Sequence, residues 1–227
     1  MDKKIFAVAV DGPSGAGKST IAKRIAAELG IVYVDTGAMY RSVGLYTFRK
    51  GVDPKDIEAV TALLPEITVD MRYGDDGLQR MFLNGEDVTT DIRLPQISMY
   101  ASAVSAIPAV RAFLLDMQRD LARRNSVIMD GRDISTVVLP DAEVKIFLTA
   151  EAEIRAKRRE LELQERGTPE PFEKILKELL ERDYNDSHRA EAPLRQAEDA
   201  VLIDTTELNF EESKDAILKV IREKTGA

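Results

Sequence analysis

Residues 12–19 read Gly-Pro-Ser-Gly-Ala-Gly-Lys-Ser. This is the pattern G-x-x-x-x-G-K-[ST], set between the apolar run Ile5–Val10 and the helical pattern Ile21–Leu29, the context in which it cradles phosphate. The residue types suit that chemistry. Gly12, Gly15 and Gly17 let the backbone curl until its N–H groups face inward as an anion nest. A helix opening near Lys18 adds the positive end of its dipole. Lys18 reaches β- and γ-phosphates, and the Ser19 hydroxyl is a ligand for Mg²⁺. Pro13, Ser14, Ala16 and Thr20 complete this candidate triphosphate loop. A tight glycine turn capping a helix is the plainer reading, and the loop alone does not say what receives a phosphate.

Three further clusters address the acceptor. In Asp35-Thr36-Gly37-Ala38-Met39-Tyr40-Arg41, Asp35 or Thr36 can cap a helix and Gly37 permits close approach of a ligand. Arg41 then lies about one turn inside, beside Tyr40, where a guanidinium can grip a phosphate with two donors. In Met129-Asp130-Gly131-Arg132-Asp133, a strand ending in Asp resembles the acidic partner that supports Mg²⁺ through water. Arg132 projects from the strand end, and Asp133 can accept from an amino or imino group. Arg182, Asp186 and Arg189 are spaced i, i+4, i+7 on one helical face, and Arg155, Arg158 and Arg159 share another. Each cluster alone also reads as an ordinary capped helix, turn or solvated ion-paired face. Beside a phosphate loop they read as cations around a moving phosphoryl group, where catalysis is largely positioning and charge stabilisation. His188 is assigned no role.

The elements that must position these residues follow from short apolar runs alternating with helical patterns. Strands are expected at Ile5–Val10, Ile31–Val34, Val127–Met129, Val144–Leu148 and Ala200–Ile203. Helices are expected at Ile21–Leu29, Met39–Lys50, Ile97–Ser105, Ala109–Arg124, Ala152–Arg166, Phe172–His188 and Phe210–Lys224. That alternation implies a parallel sheet covered on both faces, with ligands at the carboxyl ends of its strands. One segment breaks it. Ile67, Val69, Met71 and Tyr73 alternate with polar residues, Gly74–Gly77 is a turn, Leu78–Leu83 is extended, and Asn84-Gly85 signals a hairpin before a third run at Val88. We expect a small antiparallel insert at 65–95 in a core of 1–64 and 96–227. The charged stretch Glu151–Gly167 suggests a helical lid at about 151–170.

The 227 residues, 44% of them hydrophobic, suffice for one large domain with a sizeable core. No run of 18 apolar residues occurs, so no membrane span is expected. Met1-Asp2-Lys3-Lys4 leads into a strand without a signal-peptide pattern. The chain has no cysteine and one histidine, which excludes disulfides and thiolate chemistry and disfavours His-based triads and metal sites. A net charge of −8 argues against a nucleic-acid surface, so bound anions must meet local basic clusters. A cytoplasmic monomer is expected.

The segments Asp11–Lys18, Asp35–Arg41, Asp130–Asp133 with Thr136-Val137-Val138, Pro140-Asp141-Ala142 before Val144–Leu148, and Arg182-Asp183 through His188-Arg189-Ala190 carry a resemblance. In order and spacing, over nearly the whole length, the chain resembles the bacterial cytidylate kinases. The resemblance implies an α/β phosphate-loop kinase: a parallel five-stranded sheet flanked by helices, an inserted antiparallel monophosphate-binding region and a helical lid. It implies transfer from ATP to CMP or dCMP with Mg²⁺. Gly12–Thr20 would hold ATP, with Arg155, Arg158 and Arg159 closing over it. Arg41 and Arg132 resemble grips on the CMP phosphate. Ser102, Arg111, Asp133 and Arg189 resemble the cytosine-reading set, in which the Asp133 carboxylate accepts from the exocyclic amine and disfavours UMP. Tyr40, Arg182 and Asp186 resemble contacts to the acceptor sugar, with Arg182 also near the transferred phosphoryl. Thr36, Asp130 and Gly131 complete the CMP set, and Lys18, Arg132 and Arg182 are the catalytic candidates. Two positions depart from the family pattern: Ser135 stands where Gly is common, and Ser19 where some members have Gly. A kinase for UMP or a non-nucleotide acid would share the loop but lack the set Ser102, Asp133 and Arg189. A nucleotide switch or binding module is the other class of reading; no Asn-Lys-x-Asp sequence supports it.

Overall fold

The run Ala7-Val8-Ala9-Val10 is apolar on both faces, so it belongs in the middle of a sheet covered on both sides. The computed structural model, which describes residues 5–74, 79–165 and 167–227, places it there. β1 (Ala7–Asp11) is the central strand of a five-stranded parallel sheet with β2 (Val32–Asp35), β6 (Val127–Gly131), β7 (Val144–Thr149) and β8 (Val201–Asp204), in the order β2-β6-β1-β7-β8. Register pairs Val8 with Ile128 and Val144, and Asp11 with Gly131 and Phe147. The phosphate loop and the Asp130–Asp133 segment therefore leave the same end of two adjacent strands.

Two compact units divide the chain: Met1–Val34 with Leu121–Ala227, and Asp35–Asp120. In the first, α1 (Lys18–Leu29) and α8 (Phe210–Thr225) cover one face of the sheet. Ile21, Ile25, Ile217 and Ile221 pack on Val8, Val10, Ile128, Ile146 and Leu148. The period-3.6 stripe on each helix meets the period-2 face of the strands. α1 opens at Gly17 and closes at Gly30, both left-handed. α8 opens with a reciprocal capping box between Asn209 and Glu212. α6 (Ala152–Glu165) and α7 (Phe172–His188) pack together through Ala156, Leu163, Ile175 and Leu179.

The second unit is built on α2 (Thr36–Arg49), which packs along α4 (Pro95–Val104); α5 (Pro108–Arg124) follows. The two backbones approach so closely that a Cβ on Gly44 would stand 2.9 Å from the amide of Ala101. Phe48 and Tyr100 meet edge to face at 5.3 Å. The expected insert is present as a three-stranded antiparallel sheet, β3 (Val69–Tyr73), β4 (Gln79–Leu83) and β5 (Glu86–Asp87). Asn84 and Gly85 turn between β4 and β5 with positive φ of 51° and 85°, as a two-residue hairpin of Asn-Gly requires. Val69, Met81 and Leu83 point inward. Met1–Lys4, Asp75–Leu78 and Arg166 lie outside the described residues, and with them most of the turn expected at 74–77, the expected first residue of the next run, and the last residue expected for α6.

α3 (Ile57–Leu63) is an addition to the expected elements. Asp56 caps it, accepting from the amide of Ala59 at 3.0 Å. It is seven residues long with only Val60 buried, too short for a helical period to show. Among the described residues no single helix is long and apolar enough to cross a membrane.

Candidate active site

The loop that follows β1 has the conformation its glycines allow. Gly12 sits at φ 148°, where a Cβ would run into the Leu148 carbonyl of β7. Gly15, at φ 76°, lies against Arg155 at the start of α6: a Cβ would stand 3.1 Å from the Arg155 Cβ. Lys18 is nearly buried, and its Nζ donates to the Pro13 carbonyl at 2.8 Å, bridging the loop. Burial and then the Arg132 guanidinium hold its pKa down at about 7, with Asp130 opposing them. Thr20 is exposed.

Beside the loop, the Ser19 hydroxyl donates to Asp130 Oδ2 at 2.7 Å, and the Tyr33 hydroxyl donates to Oδ1 at 2.9 Å. The carboxylate at the end of β6 is thus aimed by two hydroxyls, one from the loop and one from β2. Sequence reasoning missed Tyr33, because an aromatic residue in an apolar run reads as core. Among the described residues no three His, Cys, Asp or Glu side chains gather as a metal cage. Ser19 Oγ and the Asp130 carboxylate are hard oxygen donors held together at one end of the loop. They fit Mg²⁺, which takes few protein oxygens and completes its shell with water and substrate phosphate.

The arginines and acids on β6, α6 and α7 form a connected group. Arg132 Nε donates to Asp186 Oδ2 at 2.7 Å, with the two side chains 18% and 6% exposed. Burial works against the Arg132 charge, but Asp186, then Asp130 and Asp183, outweigh it and raise its pKa. Burial likewise opposes the Asp186 charge, and Arg132 and Arg182 outweigh it, so its pKa is lowered. Arg182 is the least satisfied member. Its Nε is buried without a hydrogen-bond partner, with Asp186 3.9 Å away. Burial and the neighbouring Arg132 bring its pKa down to about 10. Arg189 Nη2 stands 3.6 Å from Asp133 Oδ1, both nearly buried. Arg189 does not continue the α7 face: the helix ends at His188, and Arg189 is extended, its guanidinium bound to the Ala192 carbonyl at 2.5 and 2.8 Å. It reaches Asp133 by leaving the helix. His188 stacks on Tyr184 at the surface.

The three arginines of α6 have three different sets of partners. Arg155 is buried and donates to Ser14 O at 2.9 Å and Ala150 O at 2.8 Å, and it pairs with Asp183 at 2.6 Å. It is part of the wall behind the phosphate loop. Arg158 binds Thr205 O at 2.6 Å and Thr205 Oγ1 at 3.0 Å. Arg159 pairs with Glu162 at 2.7 Å. Sequence reasoning also left the buried Asp11 without a role. Asp11, the last residue of β1, accepts from the Ile134 amide at 2.7 Å, from the Ser135 amide at 2.8 Å and from the Ser135 hydroxyl. Burial raises the Asp11 pKa against these donors. The hydroxyl at position 135 therefore has a partner.

In the second unit, Asp35 caps α2 by accepting from the Ala38 amide at 2.9 Å, and it pairs with Arg93 at 2.6 Å. The guanidinium of Arg93, with burial opposing, holds the Asp35 pKa down. Thr36 is buried at the first helical position. Arg41 donates to Ser98 Oγ at 2.6 Å and to Ile92 O at 3.2 Å. Tyr40 lies under the Arg111 guanidinium at 5.7 Å, and Arg111 also donates to Ser105 O at 3.2 Å. The Ser102 carbonyl accepts from the Ser105 hydroxyl at 2.8 Å. These expected acceptor residues lie within one unit, on α2, α4 and α5.

A parallel sheet whose central strand feeds a phosphate loop, with a buried lysine, a hydroxyl–carboxylate pair and buried arginines at the strand ends, defines a phosphate-loop phosphotransferase. The model of the cytidylate kinase family matches residues 8–223, and the chain belongs to that family. It is 51% identical over 213 residues to the cytidylate kinase of Caldicellulosiruptor bescii, covering 94% of each chain. It is 47% identical over 220 residues to that of Lactobacillus johnsonii, covering 97% of this chain and 95% of the relative. Among solved structures, an uncharacterized protein from Eubacterium ventriosum superposes with a TM-score of 0.53 at 14% identity, over 96% of this chain and 98% of the other. That likeness concerns the fold alone.

Proposed function

We infer that this chain transfers the γ-phosphoryl group of ATP to CMP or dCMP, giving ADP and CDP or dCDP. The observation that carries the reading is the cluster behind the phosphate loop: burial and the Arg132 guanidinium lower the pKa of both Lys18 and Arg182, and Arg182 Nε is buried without a hydrogen-bond partner, 3.9 Å from Asp186. Buried cations whose charged forms are disfavoured in this way gain from an anion brought beside them, and a transferring phosphoryl group is such an anion.

The attacking CMP phosphate oxygen is already ionised, so no general base is needed. As its bond to Pγ forms, the bond from Pγ to the β-bridging oxygen breaks and ADP leaves. Lys18 exchanges the Pro13 carbonyl for phosphate oxygens, which favour its charged form. Arg132, oriented by Asp186, grips the acceptor phosphate, and Arg182 meets the charge on the moving group. Ser19 and Asp130 would hold Mg²⁺, which when bound neutralises charge on the β- and γ-oxygens. Asp133, set by Arg189, accepts from the cytosine amine. In the second unit Thr36, Tyr40, Arg41, Ser102 and Arg111 are proposed as CMP contacts. We also propose 65–95 as part of the monophosphate-binding region and 151–170 as a lid that excludes water. For Arg155, Arg158 and Arg159 to touch ATP, each must exchange the partners described above. A cytoplasmic monomer acting on free nucleotides, and on neither nucleic acid nor membrane, is the proposed setting, consistent with the net charge of −8 and the lack of cysteine.

The test is ADP formation from Mg-ATP with CMP, dCMP, UMP, AMP, GMP or no acceptor. Turnover with CMP and dCMP, and a shift toward UMP in Asp133→Asn, are expected. Slow turnover indifferent to every monophosphate would refute the assignment.

A further inference from the structure

We propose that Asp11 is a positioning residue for the acceptor side of the reaction, setting Arg132 and Asp133 through Ile134 and Ser135. The inference rests on the kinase reading above. Asp11 is fully buried at the last position of β1, one residue before the phosphate loop begins. Its carboxylate takes three donors, all from the adjoining strand-end segment: the amides of Ile134 and Ser135 and the Ser135 hydroxyl. Its backbone is already in register with Gly131 of β6. The segment 131–135 is therefore fixed to β1 at both ends, by the sheet at Gly131 and by Asp11 at Ile134 and Ser135. Arg132 and Asp133 are the two residues held between. Ile134 and Ser135 open a five-residue π-helical turn, a rare form found mostly at functional sites. Lys18 and Ser19 bond elsewhere, to Pro13 and Asp130, and Asp11 touches Lys18 only through a minor electrostatic effect of its charge.

The discriminating variants are Ser135→Ala, which removes one donor and leaves two, and Asp11→Asn, which sets an amide donor against the Ser135 N–H. A hydrogen bond to a buried carboxylate is worth about a tenfold effect, and displacement of a reacting group by an ångström about a hundredfold. Ser135→Ala is expected to raise the KM for CMP roughly tenfold, and Asp11→Asn to lower kcat/KM for CMP about a hundredfold. The KM for ATP should stay within about twofold in Ser135→Ala, which leaves both the loop contacts and the Asp11 charge in place. Amide hydrogen exchange across 131–135 should quicken in Ser135→Ala while that of α1 does not change. Exchange does not depend on the acceptor: if the unsubstituted protein fails to phosphorylate CMP, the kinase reading falls and the exchange result still decides the tie. Folded Ser135→Ala with unchanged exchange at 131–135, or with KM for ATP and CMP rising equally, would overturn the proposal.

Discussion

Replacing Arg132 by alanine tests the electrostatic logic of the site. Its Nε is 2.7 Å from a carboxylate that is 6% exposed, so the change strands a buried charge. Breaking such a pair costs about 3–5 kcal/mol. Arg182 at 3.9 Å and the charge of Arg189 still face Asp186, which places the expected cost near the low end, about 3 kcal/mol. For a chain of this length that is a fall in Tm of roughly 6–12 °C. The kinetic effect should be one-sided. Loss of a guanidinium that positions the acceptor phosphate costs on the order of a hundredfold in turnover with CMP. ATP binding should weaken by no more than about threefold, because removing Arg132 also lifts a repulsion from Lys18. The assay pairs coupled ADP release against CMP concentration with calorimetric titration of ATP, on protein shown to be folded. A parallel loss of ATP affinity and CMP turnover would refute the placement of Arg132 on the acceptor side. An unchanged Tm would refute the buried pair.

Three other outcomes are expected. Gly12→Ala puts a Cβ into the Leu148 carbonyl at a left-handed φ, so it should cost about 3 kcal/mol of stability and abolish ATP binding, read by thermal melts with and without nucleotide. Asp130→Asn weakens the oxygen pair with Ser19, and the Mg²⁺ concentration for half-maximal turnover should rise about tenfold or more; a titration of Mg²⁺ against chelator measures it. The third concerns pH. With its pKa lowered to about 7 from 10.5, Lys18 is mostly neutral at pH 8 in the free protein. Phosphate restores its charge, so ATP binding should take up clearly more proton at pH 8 than at pH 6, by calorimetry in buffers of different ionisation enthalpy. The same shift sets the sign for stability. The unfolded chain binds the extra proton between pH 7 and 10.5, so Lys18's penalty on the free fold is full below pH 7 and fades as pH rises.

What the sequence shows and what it hides follow from range. The loop, β1 and α1 are contiguous, and their pattern is local, so glycine positions, the lysine and the flanking elements were all legible. The pairing of Ser19 with Asp130 spans 111 residues, yet it could be foreseen because strand ends in a parallel sheet converge. The antiparallel insert announced itself by alternation and Asn84-Gly85. Spacing on a helix, by contrast, says which side chains share a face and nothing about what the face meets. Arg155, Arg158 and Arg159 share spacing and take the loop, the β8–α8 connection and their own helix as partners. Arg189 was placed on a face of α7 that ends one residue too soon. Asp11 and Tyr33 escaped because a buried polar contact 97 to 124 residues away leaves no local pattern.

The Arg155 contact carries a consequence of its own. One guanidinium joins a carbonyl of the phosphate loop, Ser14, to a carboxylate of α7, Asp183, from a position on α6. Loop shape and the placement of the α6–α7 hairpin then share a single free energy. If nucleotide in the loop favours one placement of the hairpin, that placement must favour nucleotide by the same factor. A substitution at Asp183, outside the loop, would change the cost of that exchange and with it the measured affinity for ATP.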